Sequence, residues 1–332
     1  MSDDRTEARS QRSPATTPSS PTPSSPTSTS PTSTSPTTAT DPSDARAVVG
    51  ALPAPGSEEP RAIERLGIVA YTNVAPLHWG LAPWDEDGHR ARFVHGVPSE
   101  LNRALLEGTI DLTLISSVEF LRHRDVLRAL PDFSIATLGP VYSVSLFHWR
   151  PWSELSGARI AVSTDSSTSV ELLRSLLLRD GIEAELVPAA PKLDVMLREY
   201  DAALLIGDAA LVEGVARRPI DERTPIMTDL GEAWYDRTRL PFTFAVWASL
   251  RDRPPSDRLV AKLRAARQQG LGQLADVASE AAGRVGVTPE VMLRYLANFR
   301  YHLERPDRDG LTAFGRWVVP GFREDELRFW DV

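Results

Sequence analysis

The chain has 332 residues, 42% hydrophobic and 25% charged, with a formal net charge of −8. Most of it can bury a core, with two domains as the natural division, and the acidic balance with no basic stripe argues against non-specific nucleic-acid binding. It has no cysteine, which excludes disulfides, thiol catalysis, Fe–S clusters and a lipoprotein attachment, and no apolar stretch approaches the roughly 20 residues of a membrane span.

From Ser10 to Pro42 the chain is almost wholly Ser, Thr and Pro. Such a segment lacks apolar surface to offset the entropy of ordering it, so residues 1–60 are expected to be a disordered tail. Its polar start, MSDDRTEARS, has no apolar h-region, so it reads as a cytoplasmic extension rather than a secretory leader.

The ordered body begins near Arg61. RLGIVA (Arg65 to Ala70) reads as a first strand and YTN as the loop leaving it; Pro76 suits the first turn of a short helix. ARFVHG is a second strand. Pro98 to Glu107 is a helix stopped by Gly108, and Ile110 to Ile115 completes a βαβ unit. FSIATLGPVYSVSLF runs extended through Gly139 and Pro140 as a crossing between lobes. ARIAVS is the next strand, followed by the loop TDSSTS and the helix VELLRSLLLR, whose Val170, Leu173, Leu176 and Leu177 form one apolar stripe. AELVP, a helix near Val195 to Arg198, and AALLIG follow. FTFAVWASL (Phe242 to Leu250) returns to the first lobe. Pro254 to Ala282 is expected as one long amphipathic helix, Pro289 to Leu303 as another, and Leu311 to Val319 packs across the first lobe.

Two segments share a plan. In LLEGTIDLTLISSVEF and YDAALLIGDAAL an Asp (Asp111, Asp201) opens an apolar run that stops at small or polar residues. Such runs read as strands buried on both faces, hence a parallel sheet, with ligand groups just past their carboxyl ends. Two such units imply two α/β lobes around a cleft, a periplasmic-binding-protein-like fold of type II. The expected lobes are 61–143 plus 243–332, and 144–242.

Several polar residues fall at the expected cleft. Asn73 ends the first strand; its amide can donate to a carboxylate and accept from a hydroxyl, or it is a turn residue bonded to its own backbone. Ser166, Thr168 and Ser169 sit where VELL begins, where free N–H groups and the helix dipole favour a carboxylate; the alternative is a capping box of Thr168 with Glu171. Ser116 and Ser117 end a buried strand, and Ser143 follows the crossing; each binds ligand or satisfies backbone groups. Glu119 and Asp208 suit capping or hinge roles. His78 faces the cleft or lies on a helix surface, and the histidines show no metal-ligand spacing.

The ordered combination YxNVAPL, LNxxLxxGxIDLxxISSVEF, GPVYS, STDSSTSVELL, LLIGDAAL, DLGxAW and LPFxFAxW, from Arg65 to Leu303, resembles the chorismate dehydratase family of the futalosine route to menaquinone. One departure is Arg239, where the family more often has glycine before LPF; the tail is another. The resemblance implies a cytoplasmic lyase of periplasmic-binding-protein-like fold that takes chorismate as its small-molecule substrate, with Asn73 implicated in catalysis and the substrate's own enolpyruvyl carboxylate taking the proton. Because aromatisation drives the elimination and no cofactor motif is visible, neither metal nor organic cofactor is expected, nor a nucleic-acid or membrane partner. Fold alone leaves a small-anion solute-binding receptor or a ligand sensor open. The first is disfavoured by the expected lack of a leader, the second by the lack of a DNA-binding module before the lobes. Deleting residues 1–60 is expected to leave the melting temperature nearly unchanged in a thermal scan.

Overall fold

The computed structural model describes residues 63–86, 89–164 and 167–332, so the expected tail lies outside the described residues. Strand β1 (Ile63–Val69) leads through a 3-10 turn (Thr72–Val74) into the one-turn helix α1 (Ala75–His78), with Pro76 in its first turn. A short strand β2 (Trp84–Glu86) pairs with β3 (His89–Gly96), followed by α2 (Pro98–Leu106), β4 (Leu112–Ser116), α3 (Ser117–Arg122) and β5 (Leu127–Thr137). The chain then crosses to β6 (Val144–His148), β7 (Arg159–Ser163), α4 (Ser167–Arg179), β8 (Glu185–Ala189), α5 (Leu193–Glu199), β9 (Ala202–Ile206), α6 (Gly207–Ala216), β10 (Ile226–Asp229) and α7 (Leu230–Thr238). It returns as β11 (Phe242–Leu250) and closes with α8 (Asp257–Gly272), α9 (Leu274–Val285), α10 (Pro289–Ala297), β12 (Phe299–Arg300) and α11 (Arg305–Val318).

The strands form two sheets, ordered β12-β5-β11-β4-β1-β3-β2 and β10-β6-β9-β7-β8. Their centres are built alike. β1 pairs parallel with β3 and β4, as β7 does with β8 and β9, and each then gains antiparallel neighbours, β11 and β5 in one, β6 and β10 in the other. The sheets are therefore mixed, not parallel as the apolar runs suggested. Burial on both faces does account for those runs. In β9, Ala202, Leu204 and Ile206 join the main core while Ala203 and Leu205 join a second one with Met196 and Leu197 of α5, the period-2 alternation of a strand with two covered faces.

The two aspartates that open the runs do the same work twice. The Asp111 carboxylate accepts from the Arg65 backbone N–H at 2.8 Å, and that of Asp201 from the Arg159 N–H at 2.9 Å. The backbone N–H groups of Asp111 and Asp201 donate back to the carbonyls of Arg65 and Arg159 at 2.8 and 3.0 Å. Each pair fixes the amino ends of neighbouring parallel strands. The carboxyl ends are left to the loops.

Three expectations need correction. The single helix over 254–282 is two, α8 and α9, broken at Gln273. Glycines weaken a helix at this point, and Gly270 serves packing: a Cβ there would fall 2.2 Å from the Pro76 carbonyl oxygen. The helix expected to reach Leu303 stops at Ala297, because Phe299 and Arg300 pair with β5 as β12. The extended run through Gly139 and Pro140 is two strands in different sheets, β5 and β6. DLGEAWYDRT, unassigned from sequence, supplies the end of β10 and α7, capped by the Asp229 carboxylate.

The Arg239 departure has a structural consequence. Arg239 ends α7 in the left-handed region, φ +58, where a side chain costs about 1–2 kcal/mol. Its pair with Asp236, at 3.4 Å, is exposed and offsets little. Arg239→Gly is expected to raise the melting temperature by about 1–2 °C, the relief exceeding the added unfolded-state entropy; a thermal scan checks it.

Candidate functional site

The carboxyl ends of β1, β4, β7 and β9 converge between the two sheets, where a cavity of about 70 Å³ is lined by residues of both. Four of the expected site residues meet there: Asn73, Ser116, Ser143 and Ser169. Apolar walls come from Val69, Leu114, Ile135, Val144, Ile206 and Phe244. Among the described residues no charged side chain lines it.

Asn73 lies on the 3-10 turn that follows β1, and its Oδ1 is buried with no hydrogen-bond partner in the structure. A turn-capping asparagine would bond its own backbone; this one does not. An unpaired buried amide oxygen is costly. Ser116 ends β4 and is clasped by Asn102 of α2: the Asn102 amide donates to Ser116 Oγ at 2.9 Å, and the Ser116 N–H donates to Asn102 Oδ1 at 3.1 Å. Because Oγ accepts from Asn102, its own proton is aimed elsewhere. Ser143 is buried at the crossing, its carbonyl accepting from the Gly207 N–H at 2.8 Å and its Oγ 3.5 Å from the Val141 carbonyl. Ser169 is buried in the first turn of α4.

The remaining serines and threonine go elsewhere. Ser117 donates to the Thr243 carbonyl at 2.6 Å and does not line the cavity. Thr168 accepts from the Val118 N–H at 3.1 Å, joining α4 to α3, so it does not cap its own helix. Glu171, its expected capping partner, pairs with Arg122 at 3.3 Å. Ser166 lies outside the described residues.

Sequence reasoning passed over Tyr71, Gly207, Phe244 and Asn102. Tyr71 and Gly207 stand inside the motifs YTNVAPL and LLIGDAAL, but their pairing is tertiary. Gly207 has φ +62, and a Cβ on it would fall 2.8 Å from the Tyr71 ring. Glycine therefore lets the N-terminus of α6 close on the loop after β1. Next to it, Asp208 accepts from the Thr72 hydroxyl at 2.9 Å and the Thr72 N–H at 3.3 Å. Burial raises the Asp208 pKa, and the Thr72 bonds pull it the other way.

The histidines and acids form no metal-binding group among the described residues, nor is any helix there long and apolar enough to cross a membrane. What lines the cavity is neutral among the described residues: hydroxyls, an amide and apolar side chains.

His78 does not line the cavity. Burial lowers its pKa to about 4, with the charges of His95 and Arg284 adding to the effect. The unfolded chain therefore takes up a proton near the ordinary value of 6.5 while the folded chain stays neutral. Stability is full above that pH and falls as the pH drops toward 4. His78→Gln is expected to lessen the loss of urea midpoint between pH 7 and pH 4.5, by at most about 3 kcal/mol in free energy; equilibrium unfolding at the two pH values measures it.

Comparison with known proteins gives the site a context. The family model described as menaquinone biosynthesis matches residues 64–319. A chorismate dehydratase of Thermus thermophilus is 47% identical over 259 residues, which cover 75% of this chain and 93% of that protein. Among solved structures, a protein of Archaeoglobus fulgidus has a TM-score of 0.60 at 18% identity, covering 78% of this chain and 98% of its own. The periplasmic aliphatic sulphonate binding protein of Escherichia coli has a TM-score of 0.56 at 14% identity, covering 81% and 92%. These two likenesses establish the two-lobed fold.

Proposed function

The chain belongs to the menaquinone biosynthesis family, and from that premise we propose that it is a chorismate dehydratase, a hydro-lyase acting in the cytoplasm. It converts chorismate to 3-[(1-carboxyvinyl)oxy]benzoate and water. The reading rests on the relative that is 47% identical across 75% of the chain, and on one local observation, the buried, unpaired Asn73 Oδ1 beside a cavity that no charged side chain lines among the described residues.

Chorismate carries two carboxylates. Elimination removes the ring hydroxyl and the hydrogen on the carbon bearing the enolpyruvyl ether; the C–H pair becomes the new ring π bond and the C–O pair leaves with the hydroxyl. In this reading the enolpyruvyl carboxylate accepts the hydrogen as a proton. A guanidinium beside that carboxylate would stabilise its charged form and weaken it as a base. Neutral donors hold it with less loss of basicity. Asn73 accepts from the departing hydroxyl or donates to the reacting carboxylate, while Ser116, Ser143 and Ser169 hold the substrate. Ser117 and Thr168 shape the walls without touching it. Positioning of this kind supplies the rate enhancement, since aromatisation supplies the driving force.

A cavity of 70 Å³ is smaller than the roughly 300 Å³ of ordinary ligand sites, so entry requires the lobes to part. We place their boundaries at 61–143 plus 243–332 and at 144–242. Contacts between them include Thr72 with Asp208, Tyr71 over Gly207, Val118 with Thr168, Arg122 with Glu171, Arg179 over Trp317, and Trp234 against Phe314 and Trp317. The two crossings carry left-handed residues, Tyr142 at φ +64 and Arg239 at φ +58.

Purified protein incubated with chorismate is expected to yield the aromatic enol ether by liquid chromatography, and no such product would overturn the reading. Asn73→Ala should lower kcat by about 10²–10³ with KM little changed, whereas Ser169→Ala should raise KM more than it lowers kcat. Steady-state kinetics of both variants tests the division of roles.

A further inference from the structure

At the end of the first sheet away from the cleft, where Leu127 of β5 pairs with Leu250 of β11, lies a groove of about 530 Å³. Five arginines line it: Arg122, Arg124, Arg128, Arg251 and Arg328. Two acids, Asp125 and Glu326, line it with them, on a chain whose net charge is −8. Basic composition does not account for the cluster.

Two of the five are partnered. Arg124 pairs with Glu326 at 2.7 Å, and Arg122 with Glu171 at 3.3 Å and Glu119 at 3.7 Å. Arg128, Arg251 and Arg328 enter no ion pair among the described residues. Each is nonetheless held. Arg128 stacks 5.1 Å over the Trp330 ring, Arg251 donates to the Asp125 carbonyl at 3.0 Å, and Arg328 donates to the Asp325 carbonyl. Backbone bonding fixes the floor: the C-terminal segment runs beside β5, with the Ala129 N–H donating to the Arg328 carbonyl and the Trp330 N–H to the Ala129 carbonyl, at 3.0 and 2.9 Å.

We propose that this groove binds a diphosphate group, either the free ion or one esterified to a small organic moiety. A guanidinium has five N–H donors in a rigid fork, and one or two of them engage a carbonyl in Arg251 and Arg328, which leaves the rest for a ligand. Forks of this kind match phosphate oxygens two at a time. Clustered guanidiniums repel one another, and a multivalent anion turns that repulsion into attraction. The volume lies in the range of ordinary small-molecule sites, about 300–1,000 Å³. It exceeds what one monovalent ion requires. The groove shares no lining residue with the cleft cavity, although its Arg122 also pairs with Glu171 across the lobes; the proposal does not depend on the reaction assigned to the cleft.

Calorimetric titration of the full chain with sodium pyrophosphate, at constant ionic strength, tests the proposal. Saturable 1:1 binding is expected. It should weaken by at least about tenfold in the Arg251→Gln, Arg328→Gln double variant. Both side chains are exposed, so an unchanged melting temperature checks that the variant is folded. Lysines at the same two positions keep the charge without the fork, and should weaken binding by less. Arg218→Gln, an exposed site outside the groove, should leave affinity as it was. A nucleoside diphosphate titrated in parallel tells the esterified ligand from the free ion by which binds tighter. Absence of saturable binding would overturn the proposal, as would equal affinity in the double variant or an equal loss in Arg218→Gln.

Discussion

One carboxylate governs the passage between the two sheets. Asp229 ends β10 and caps α7 by accepting from the N–H groups of Gly231 and Glu232 at 2.9 and 3.1 Å. It also accepts, from the other crossing, the N–H groups of Val141 at 3.0 Å and Tyr142 at 2.6 Å. Burial raises its pKa, while the backbone bonds pull it down. Four converging N–H dipoles are the kind of partner set that lets a carboxylate stay inside a protein. Helix α7 then carries the chain to Arg239 and the second crossing. Both passages are thus tied to one helix, the first at its N-cap and the second at its C-cap. Close packing completes the joint: a Cβ on Gly231 would fall 2.7 Å from the Gly139 carbonyl oxygen, and Asn298 donates to the Pro140 carbonyl at 2.6 Å.

Around that joint, each sheet is rigid at one end and open at the other. The Arg65–Asp111 and Arg159–Asp201 clasps lock the amino ends of the central parallel strands. At the carboxyl ends the chain turns straight into short helices or loops, and their N-termini face the space between the sheets. A fold with this division of labour can vary its ligand chemistry without disturbing its core. Local contacts such as the Thr72–Asp208 bonds join the two sides of its cleft.

The cleft is lined without cations among the described residues. Guanidinium pairs are abundant on this protein, at Arg300 with Asp307 and Arg124 with Glu326 among others, yet none lines the cavity among the described residues. Cationic side chains gather instead on the far side of the first sheet, in the groove of five arginines. Neutral donors bind a carboxylate while depressing its basicity less than a cation would. That would suit the proposed reaction, in which the substrate's own carboxylate takes the proton.

The sequence by itself determined the central strands β1, β3, β4, β7, β8, β9 and β11 and the two-lobed plan. Period and length were enough for AALLI and LTLIS, because a strand covered on both faces must be apolar throughout. The motif blocks put Asn73, Ser116, Ser143 and Ser169 at strand ends or helix starts, where chain connectivity alone exposes polar groups to a cleft. Tertiary structure decided the rest. It turned Ser117 toward the Thr243 carbonyl and Thr168 toward the Val118 N–H, since a hydroxyl bonds whichever group packing brings within 3 Å or so. It split the helix expected over 254–282 where α8 presses on α1 through Gly270, and it ended α10 early so that Phe299 could pair with β5. It also set Gly207 against Tyr71 and gathered the arginines of β5, β11 and the C-terminal segment into one groove. These are contacts between residues far apart in the chain, and local propensity carries no record of them.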